Sequence, residues 1–374
     1  MAAELISLKG GPGDRDQIRR AATALKSGAL VAFPTETVYG LAANASDPSA
    51  VERLRDVKGR TNTQPFTVHI GRRGDAADFV PDVTPVGQRL MRKGWPGPLT
   101  LIFPVADPRR AKAHPALCQP GAESIYSRGS VGLRYPDHPV AEQFLLDADA
   151  PIIASSANVT GRPAPLNADA VRGDLADRID FILDAGPTRY QKGSTIIALN
   201  GTGFTLVRAG VWDERIVRQL ATLQILFVCT GNTCRSPMAE GIFSHMIAQR
   251  LSCPPDELPA RGIMVRSAGT GAFGGGRASP EAVEVCKRRG IDITEHRGRG
   301  LSLELIHPSD YIYTMGRQHL ETVRMLAPSD ASKATTLHPS EEIADPLGGS
   351  LEDYERAADK ITEALKLRIN EVPL

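Results

Sequence analysis

The chain has 374 residues, 41% of them hydrophobic and 23% charged, an ordinary balance for a globular protein able to bury sizeable cores. Its 44 basic and 43 acidic residues nearly cancel, so the total does not argue for bulk attraction to nucleic acid or to a membrane, although a local basic groove stays open. The length exceeds what one hydrophobic core usually organises, and two domains are expected. The opening MAAELISLKGG lacks the basic region and apolar run of a signal peptide. No uncharged apolar stretch reaches the roughly 20 residues of a membrane span. Cys118, Cys229, Cys234, Cys253 and Cys286 form an odd, sparse set unlike a disulfide scaffold. A reducing, cytoplasmic setting without membrane contact is the expectation, with Cys118, Cys253 and Cys286 as buried or incidental thiols.

Taken in chain order, Val31–Phe33, Phe66–Ile70, Leu99–Phe103, Val131–Leu133, Ile152–Ala154 and Thr195–Leu199 read as short strands. Asp47–Lys58 and Thr84–Arg92 read as helices opened by Asp47-Pro48 and Thr84-Pro85 in N-cap and N1 roles. This is an α/β pattern. The character resets near residue 210: Asp213–Leu223 looks like a short helix or linker, and a fresh strand, Gln224–Val228, leads into a Gly-containing loop and a new helix. Domains at 1–213 and 223–374 follow, closely joined because no low-complexity linker separates them.

The first half has no G-x-x-x-x-G-K-[ST] phosphate loop. It carries instead a set of polar strings at strand ends: FPTETVYGL (33–41), KGRTNTQPFTVHI (58–70), WPGPLTLIF (95–103), SVGLRYPDHP (130–139), SSANVTG (155–161) and GSTII (193–197). Lys58 and Arg60, two apart in what reads as an extended loop, could face one side and hold a polyphosphate. Singly, each string is a turn, a solvated cation or a helix cap. Together and in this order, over about residues 5–212, they resemble the YrdC/TsaC family of threonylcarbamoyl-AMP synthases.

The resemblance implies a twisted α/β domain that joins L-threonine, bicarbonate and ATP into threonylcarbamoyl-adenylate, releasing pyrophosphate. The adenylate would supply threonylcarbamoyladenosine in tRNA, so tRNA and its modification machinery are possible partners. Carried over by position, Thr37, His69, Arg134 and Ser194, with backbone at Ala154, resemble the threonine pocket. Lys58, Arg60, Gln64, Ser130, Ser156, Ala164 and Arg208 resemble ATP contacts, with Asn158 supporting the SAN turn and Mg2+ bridging phosphates. Three departures stand out. Gln64 replaces the usual Asn but keeps its donor and acceptor set. Ala164 replaces a common nucleotide-contacting Ser, at a cost of about 1 kcal/mol of binding. Residues 104–129 form a long basic loop where the family is shorter. Two-domain members of that family carry a different C-terminal domain.

In the second half the decisive string is ILFVCTGNTCRSPMAEGIF, residues 225–243. An apolar strand ends at Cys229, five residues separate Cys229 from Arg235, and Ser236-Pro237 opens a helix. A loop entering a helix N-terminus aims backbone N–H groups at one point, which favours an anion and a thiolate alike. An arginine there can grip two phosphoryl oxygens with its planar fork. A metal reading of Cys229 and Cys234 fails because no second ligand pair follows at zinc-like spacing. A leaving group needs an acid, and Asp345 in EEIADPLGGS is the candidate.

This half, about residues 223–371, resembles the low-molecular-weight protein tyrosine phosphatases through Cys-x5-Arg-Ser, Ser267–Gly269 and the late Asp-Pro. The expected fold is a central parallel sheet flanked by helices. By that resemblance Cys229 attacks phosphorus, and Arg235 and the loop of Thr230, Gly231, Asn232, Thr233 and Cys234 hold the group. Ser236 eases thiolate release, and Asp345 acts as acid and then base, with no cofactor. Asn232 would brace the loop, and Cys234 could trap an oxidised Cys229 as a disulfide. Thr233 replaces the family's bulky aliphatic residue, and Leu347-Gly348-Gly349-Ser350 follows Asp-Pro where aromatics are frequent. Both features look more like the bacterial protein arginine phosphatase branch. The phosphorylated substrate is therefore expected to be a phosphoarginine protein, with phosphotyrosine as the alternative. A rival reading makes the first half a non-catalytic nucleotide- or RNA-binding module that targets the phosphatase.

Overall fold

A computed structural model describes residues 2–59, 64–201 and 203–374. The chain separates into two compact units, Met1–Ala221 and Thr222–Leu374. Both are α/β, as the pattern of short apolar runs and capped helices implies. Among the described residues no helix is long and apolar enough to cross a membrane.

The first unit is organised by one mixed sheet. Its strands are β1 (Glu4–Ser7), β2 (Val31–Phe33), β3 (Gly40–Asn44), β4 (Thr67–His69), β5 (Leu99–Pro104), β6 (Ser130–Arg134), β7 (Ile152–Ser156), β8 (Phe181–Asp184), β9 (Thr195–Asn200) and β10 (Gly203–Arg208). They lie in the order β1-β8-β2-β3-β7-β4-β6-β5-β9-β10. Neighbouring strands come from distant parts of the chain. β7 pairs antiparallel with both β3 and β4, and β6 lies parallel to β4 with Arg134 opposite His69. Two apolar clusters flank the sheet, one around Leu41, Val68, Leu101 and Ile153, the other around Phe33, Ala42, Phe144 and Ala154.

The helix Pro48–Lys58 starts where its sequence says it should: Asp47 accepts from the backbone N–H groups of Ser49 and Ala50, and Pro48 needs no partner for an N–H it lacks. Thr84 does the same for Pro85–Gly94 by accepting from Gly87. Each cap is worth about 1 kcal/mol. Two expectations need correction. Lys58 is the last residue of a helix that ends at Gly59, not part of an extended loop, because the apolar spacing of Val51, Leu54 and Val57 keeps the helical turn going to that point. Residues 104–129 are not simply a loop. They contain the helix Gln119–Ile125, capped by Cys118, whose sulfur accepts from the Gly121 N–H.

The second unit holds a parallel four-stranded sheet of β11 (Leu223–Cys229), β12 (Ile263–Gly269), β13 (Tyr311–Thr314) and β14 (Ala334–Thr336), in the order β12-β11-β13-β14. β11 is buried at every position, as expected for a strand covered on both faces. Helices Arg235–Arg250, Pro280–Arg288 and Leu351–Arg368 pack on one face, and Arg317–Leu326 on the other. The chain leaves β11 for β12 on one side and later returns to β13 on the other. That reversal opens a crevice at the carboxyl end of β11, where α/β sheets place their ligands.

Candidate active sites

In the first unit, polar side chains from five strands and the loops beside them converge on a cavity of about 240 Å3. Its lining includes Thr35, Tyr39, Thr67, His69, Thr100, Arg134, Ala154, Ser156, Ala164, Ser194 and Arg208. Arg134, at the end of β6, is almost fully buried. One of its terminal nitrogens donates to Thr37 Oγ1 at 2.5 Å, Glu36 Oε1 at 3.1 Å and Thr35 Oγ1 at 3.3 Å. A buried guanidinium is tolerable only with such partners. The second Glu36 oxygen and Arg134 Nε are buried and unpartnered, so the cluster keeps unused hydrogen-bonding capacity.

His69, next along the β4–β6 pair, is held by Nδ1 against the Thr67 carbonyl at 3.1 Å. Burial and then the nearby Arg134 charge push its pKa down to about 3, so the ring is neutral at physiological pH. Opposite, the Ser194 hydroxyl meets Thr100 Oγ1 at 2.9 Å, and Arg208 donates to the Ser194 carbonyl at 2.8 Å. A register shift between Leu206 and Arg208 in the β9–β10 pair re-aims Arg208 toward this spot. Burial, and Arg134 after it, lower the Arg208 pKa. The site is therefore rich in cationic and hydroxyl donors, and no carboxylate is among its described lining residues.

The second unit builds its site from one strand, one loop and one helix start. Cys229 is buried at the end of β11, with its sulfur 2.9 Å from Ser236 Oγ and 3.3 Å from the Asn232 N–H that points at it. Asn232 takes a left-handed backbone, φ 53°, which asparagine tolerates better than most residues. Its side chain then spans the loop. Nδ2 donates to Ser236 Oγ at 2.9 Å and Ser267 Oγ at 2.8 Å, while Oδ1 accepts from the Arg299 N–H at 2.8 Å. Ser267 passes the chain on to Glu240 Oε2 at 2.5 Å, and burial raises the Glu240 pKa.

Arg235, also buried, donates to the Ile343 carbonyl at 3.1 Å and forms an ion pair with Asp345. Its Nε is buried without a partner. Gly269 shows why the Ser-Ala-Gly string ends as it does. A Cβ there would stand 2.5 Å from the Thr230 carbonyl and 2.9 Å from the Asn232 nitrogen, so any side chain would displace the loop.

The Sua5/YciO/YrdC family model, described as telomere recombination, matches residues 23–210. The chain belongs to that family. The model for low molecular weight phosphotyrosine protein phosphatase matches residues 224–372, so the second unit is a domain of that class. A threonylcarbamoyl-AMP synthase of Bacillus subtilis is 38% identical over 213 residues, covering 56% of this chain and 58% of its own. The chain thus spans about three fifths of that relative. A putative threonylcarbamoyl-AMP synthase of Mycobacterium tuberculosis H37Rv is 38% identical over 198 residues, 53% of this chain and 86% of its own. Among solved structures, Pyrococcus abyssi Sua5 complexed with L-threonine shares the fold at a TM-score of 0.52, with 22% identity over 97% of this chain and 98% of its own.

In the Sua5/YrdC unit, the described residues singled out from sequence fall into three groups. His69, Arg134, Ala154, Ser156, Ala164, Ser194 and Arg208 line the cavity. Thr37 lies buried beneath Arg134, and Lys58 is buried with its ammonium donating to the Ser156 carbonyl at 2.5 Å and to the Asn158 carbonyl. Lys58 thus ties the end of its helix to the Ser-Ala-Asn turn. Gln64 is exposed, and Ser130 donates to the Ser127 carbonyl at 2.8 Å; neither is among the described lining residues. Arg60 lies outside the described residues. Sequence reasoning missed Thr35, Glu36 and Thr100. All three sit inside quoted strings, Thr35 and Glu36 in PTET and Thr100 in WPGPLTLIF, and for the first two a buried Thr-Glu-Thr beside an arginine-bearing strand is the available signal.

In the phosphatase-class unit, Cys229, Asn232, Arg235, Ser236 and Asp345 come together, while Thr230 and Gly231 stay exposed and Thr233 is half-buried. The sulfur of Cys234 contacts the Tyr354 hydroxyl at 3.3 Å. His319 was missed. Its Nε2 lies 2.9 Å from Thr230 Oγ1, and burial, with Arg235 after it, lowers its pKa. No local motif marks a histidine delivered from the helix Arg317–Leu326.

Proposed function

We propose that the chain is a bifunctional cytoplasmic enzyme. Its Sua5/YrdC unit would form threonylcarbamoyl-AMP from L-threonine, bicarbonate and ATP, and its phosphatase unit would hydrolyse protein phosphoarginine through a cysteinyl-phosphate. The observation that carries the first activity is the gathering of His69, Arg134, Ser194 and Arg208 on one cavity with Thr37 behind it. Arg134 is the natural partner of the threonine carboxylate. Neutral His69 and the Ser194 hydroxyl offer hydrogen bonds to the rest of the amino acid. The threonine nitrogen attacks the carbon of bicarbonate and one C–O bond breaks, its oxygen leaving as water with the proton that the nitrogen gives up; a carbamate oxygen then attacks the α-phosphorus of ATP as the bond to the β-phosphate oxygen breaks and pyrophosphate leaves. Such chemistry asks for positioning and charge neutralisation rather than a nucleophile from the protein. With no carboxylate in the described lining, Mg2+ would arrive with ATP, held by its phosphates. The product points to tRNA modification as the destination.

The second activity is supported by Cys229 Sγ, the Asn232 N–H, Ser236 Oγ, Arg235 and Asp345 around one loop. The Cys229 thiolate attacks phosphorus as the bond to the leaving group breaks. Asp345 donates the proton that the leaving group needs, then takes one from the water that cleaves the cysteinyl-phosphate. Arg235 exchanges its contact with Asp345 for two phosphoryl oxygens. Phosphoarginine is favoured by Thr233, whose hydroxyl can orient the attacking water or the leaving guanidinium as a branched alkyl group cannot, and by the exposed Leu347-Gly348-Gly349 stretch after Asp345-Pro346.

One set of assays on the full chain tests both halves. Pyrophosphate release should require threonine and bicarbonate together. ATP binding without such release would make the first unit a binding module. Phosphoarginine peptides should be cleaved faster than phosphotyrosine peptides, and Thr233→Ile should reverse or narrow that preference. A strong phosphotyrosine preference that Thr233→Ile leaves unchanged would overturn the substrate assignment.

A further inference from the structure

Beside the phosphate loop lies a buried histidine that the reaction as written does not use. His319 is only 1% exposed and stands in the first turn of the helix Arg317–Leu326. Two hydrogen bonds tie that turn and the residues before it to the loop that carries Asp345. Glu342 Oε1 accepts from the Arg317 N–H at 2.8 Å, and the Ile343 N–H donates to the Met315 carbonyl at 2.9 Å. A Cβ at Gly316 would press on Glu342 Oε2 at 2.9 Å, so the glycine lets that carboxylate settle on the helix start, where the backbone favours an anion. The position of His319 is thus set by the same loop that delivers the acid.

From there the ring reaches the nucleophile's loop. Its Nε2 lies 2.9 Å from Thr230 Oγ1, and that same oxygen accepts from Arg235 Nη2 at 3.4 Å. Arg235 Nη2 is also the nitrogen paired with Asp345, while Nη1 is fixed on the Ile343 carbonyl at 3.1 Å. The charged groups acting on the ring are Arg235 from one side and Asp345 and Glu342 from the other. Burial and Arg235 outweigh the two carboxylates, so the ring is neutral. Its Nδ1 is buried without a fully formed hydrogen bond, and the backbone group on that side is the Gly316 carbonyl, which favours a proton over a bare lone pair. The one ring proton therefore sits on Nδ1 and Nε2 is an acceptor. The Thr230 hydroxyl donates to it and turns its lone pairs toward Arg235.

We propose that His319 is a positioning residue of the phosphatase site, orienting the Thr230 hydroxyl so that its oxygen holds Arg235 when Asp345 lets go. The proposal rests on the phosphatase reading of the second unit. Each terminal nitrogen of a guanidinium carries two N–H groups. At rest those of Arg235 Nη2 meet Asp345 and Thr230. With a phosphoryl group in the loop, one N–H turns to a phosphoryl oxygen and Thr230 keeps the other. A hydroxyl facing the opposite way would aim its proton at the guanidinium and push it off the reacting group. A donor fixed in advance matters most where charge is greatest, on the oxygens of the transition state, so the effect falls on turnover. His319 acts through Thr230 and does not touch the substrate.

The test uses the full-length protein with Thr230→Val, His319→Phe, His319→Gln and the Thr230→Val/His319→Phe double variant. Hydrolysis of p-nitrophenyl phosphate gives kcat and KM, orthovanadate inhibition reports on the five-coordinate geometry of the transition state, and amide exchange in β11 reports whether the unit stays folded. We expect kcat to fall fivefold or more in Thr230→Val and in His319→Phe, with KM within twofold and Ki for orthovanadate rising by a similar factor. The double variant should lose no more than twofold beyond the larger single loss, because all three lack the same contact. His319→Gln, whose amide oxygen can accept where Nε2 did, should recover at least half of the lost turnover. Losses that multiply in the double variant, a KM that rises as far as kcat falls, or an unchanged kcat in Thr230→Val overturn the proposal while leaving the phosphatase reading intact. Should His319→Phe loosen β11, Thr230→Val decides alone, a fivefold loss of kcat supporting the proposal and an unchanged kcat overturning it. Wild-type hydrolysis that survives Cys229→Ser removes the phosphatase reading, and the role of His319 goes with it.

Discussion

The two candidate sites solve the problem of holding a phosphate-bearing substrate in opposite ways. The phosphatase unit concentrates its machinery in the eight residues Cys229–Ser236, where backbone N–H groups, a left-handed Asn232 and the start of a helix do the arranging. The Sua5/YrdC unit spreads its machinery from Thr35 to Arg208, and only the strand order of a mixed sheet brings it together. The loop is a local conformation with a distant acid attached. The cavity is a tertiary assembly with almost no local signature. Damage to the first should therefore show as lost turnover, and damage to the second as weakened substrate binding.

The largest expected effect lies at the loop. Cys229→Ser keeps the shape of the side chain and removes the nucleophile, so phosphatase turnover should fall by about 10^3 or more, roughly 4 kcal/mol of barrier. Pyrophosphate release by the same protein should stay at the wild-type rate. Residual phosphatase turnover within tenfold of wild type would mean that Cys229 is not the attacking group, and the contrast between the sites would collapse.

A smaller effect is expected at the cavity. Arg134→Lys keeps a positive charge but loses the planar fork that binds Thr35, Glu36 and Thr37 on one nitrogen and leaves the rest for a carboxylate. Loss of a charge-assisted hydrogen bond is worth about 1.5–3 kcal/mol, so KM for threonine should rise roughly 10- to 100-fold with a smaller change in kcat. If kcat falls and KM does not, Arg134 acts on the reacting atoms, and the division into a turnover site and a binding site is wrong.

The same contrast explains what could be read from the chain alone. β2 and the capped starts at Asp47 and Thr84 were legible because branched apolar runs, Asp-Pro and Thr-Pro are local signals. β3, with the sequence Gly-Leu-Ala-Ala-Asn, was not, because small residues there reflect close packing rather than strand preference. The loop residues were legible as a contiguous anion cradle. Glu36, Thr100 and His319 were not, since each earns its place by a partner nearly one hundred residues away. Cys118 reads in sequence as a buried or incidental thiol, yet it caps a helix, a role that thiols seldom fill and that serine or threonine would have advertised.

The smallest expected effect separates the units by pH. His69 has a folded pKa of about 3, held down by burial and Arg134, against roughly 6.5 for an unfolded histidine. Between those values the unfolded chain binds a proton that the folded one refuses, so the contribution is fully present above about pH 6.5 and is lost as pH falls. The limiting slope is about 1.4 kcal/mol per pH unit, which gives the first unit a loss of about 2 kcal/mol between pH 7.5 and 5 from this residue. His138, lowered mainly by burial, adds in the same direction. Both tryptophans, Trp95 and Trp212, belong to the first unit, so their fluorescence during urea unfolding reports on it alone. The midpoint should drop between pH 7.5 and 5, and His69→Gln, which cannot titrate, should remove most of the drop. An equal drop in His69→Gln would mean that the ring is charged, or reached by water, in the folded protein. The neutral ring assigned to the threonine pocket, with Nδ1–H held by the Thr67 carbonyl and Nε2 free to accept, would then have to be replaced by a cation.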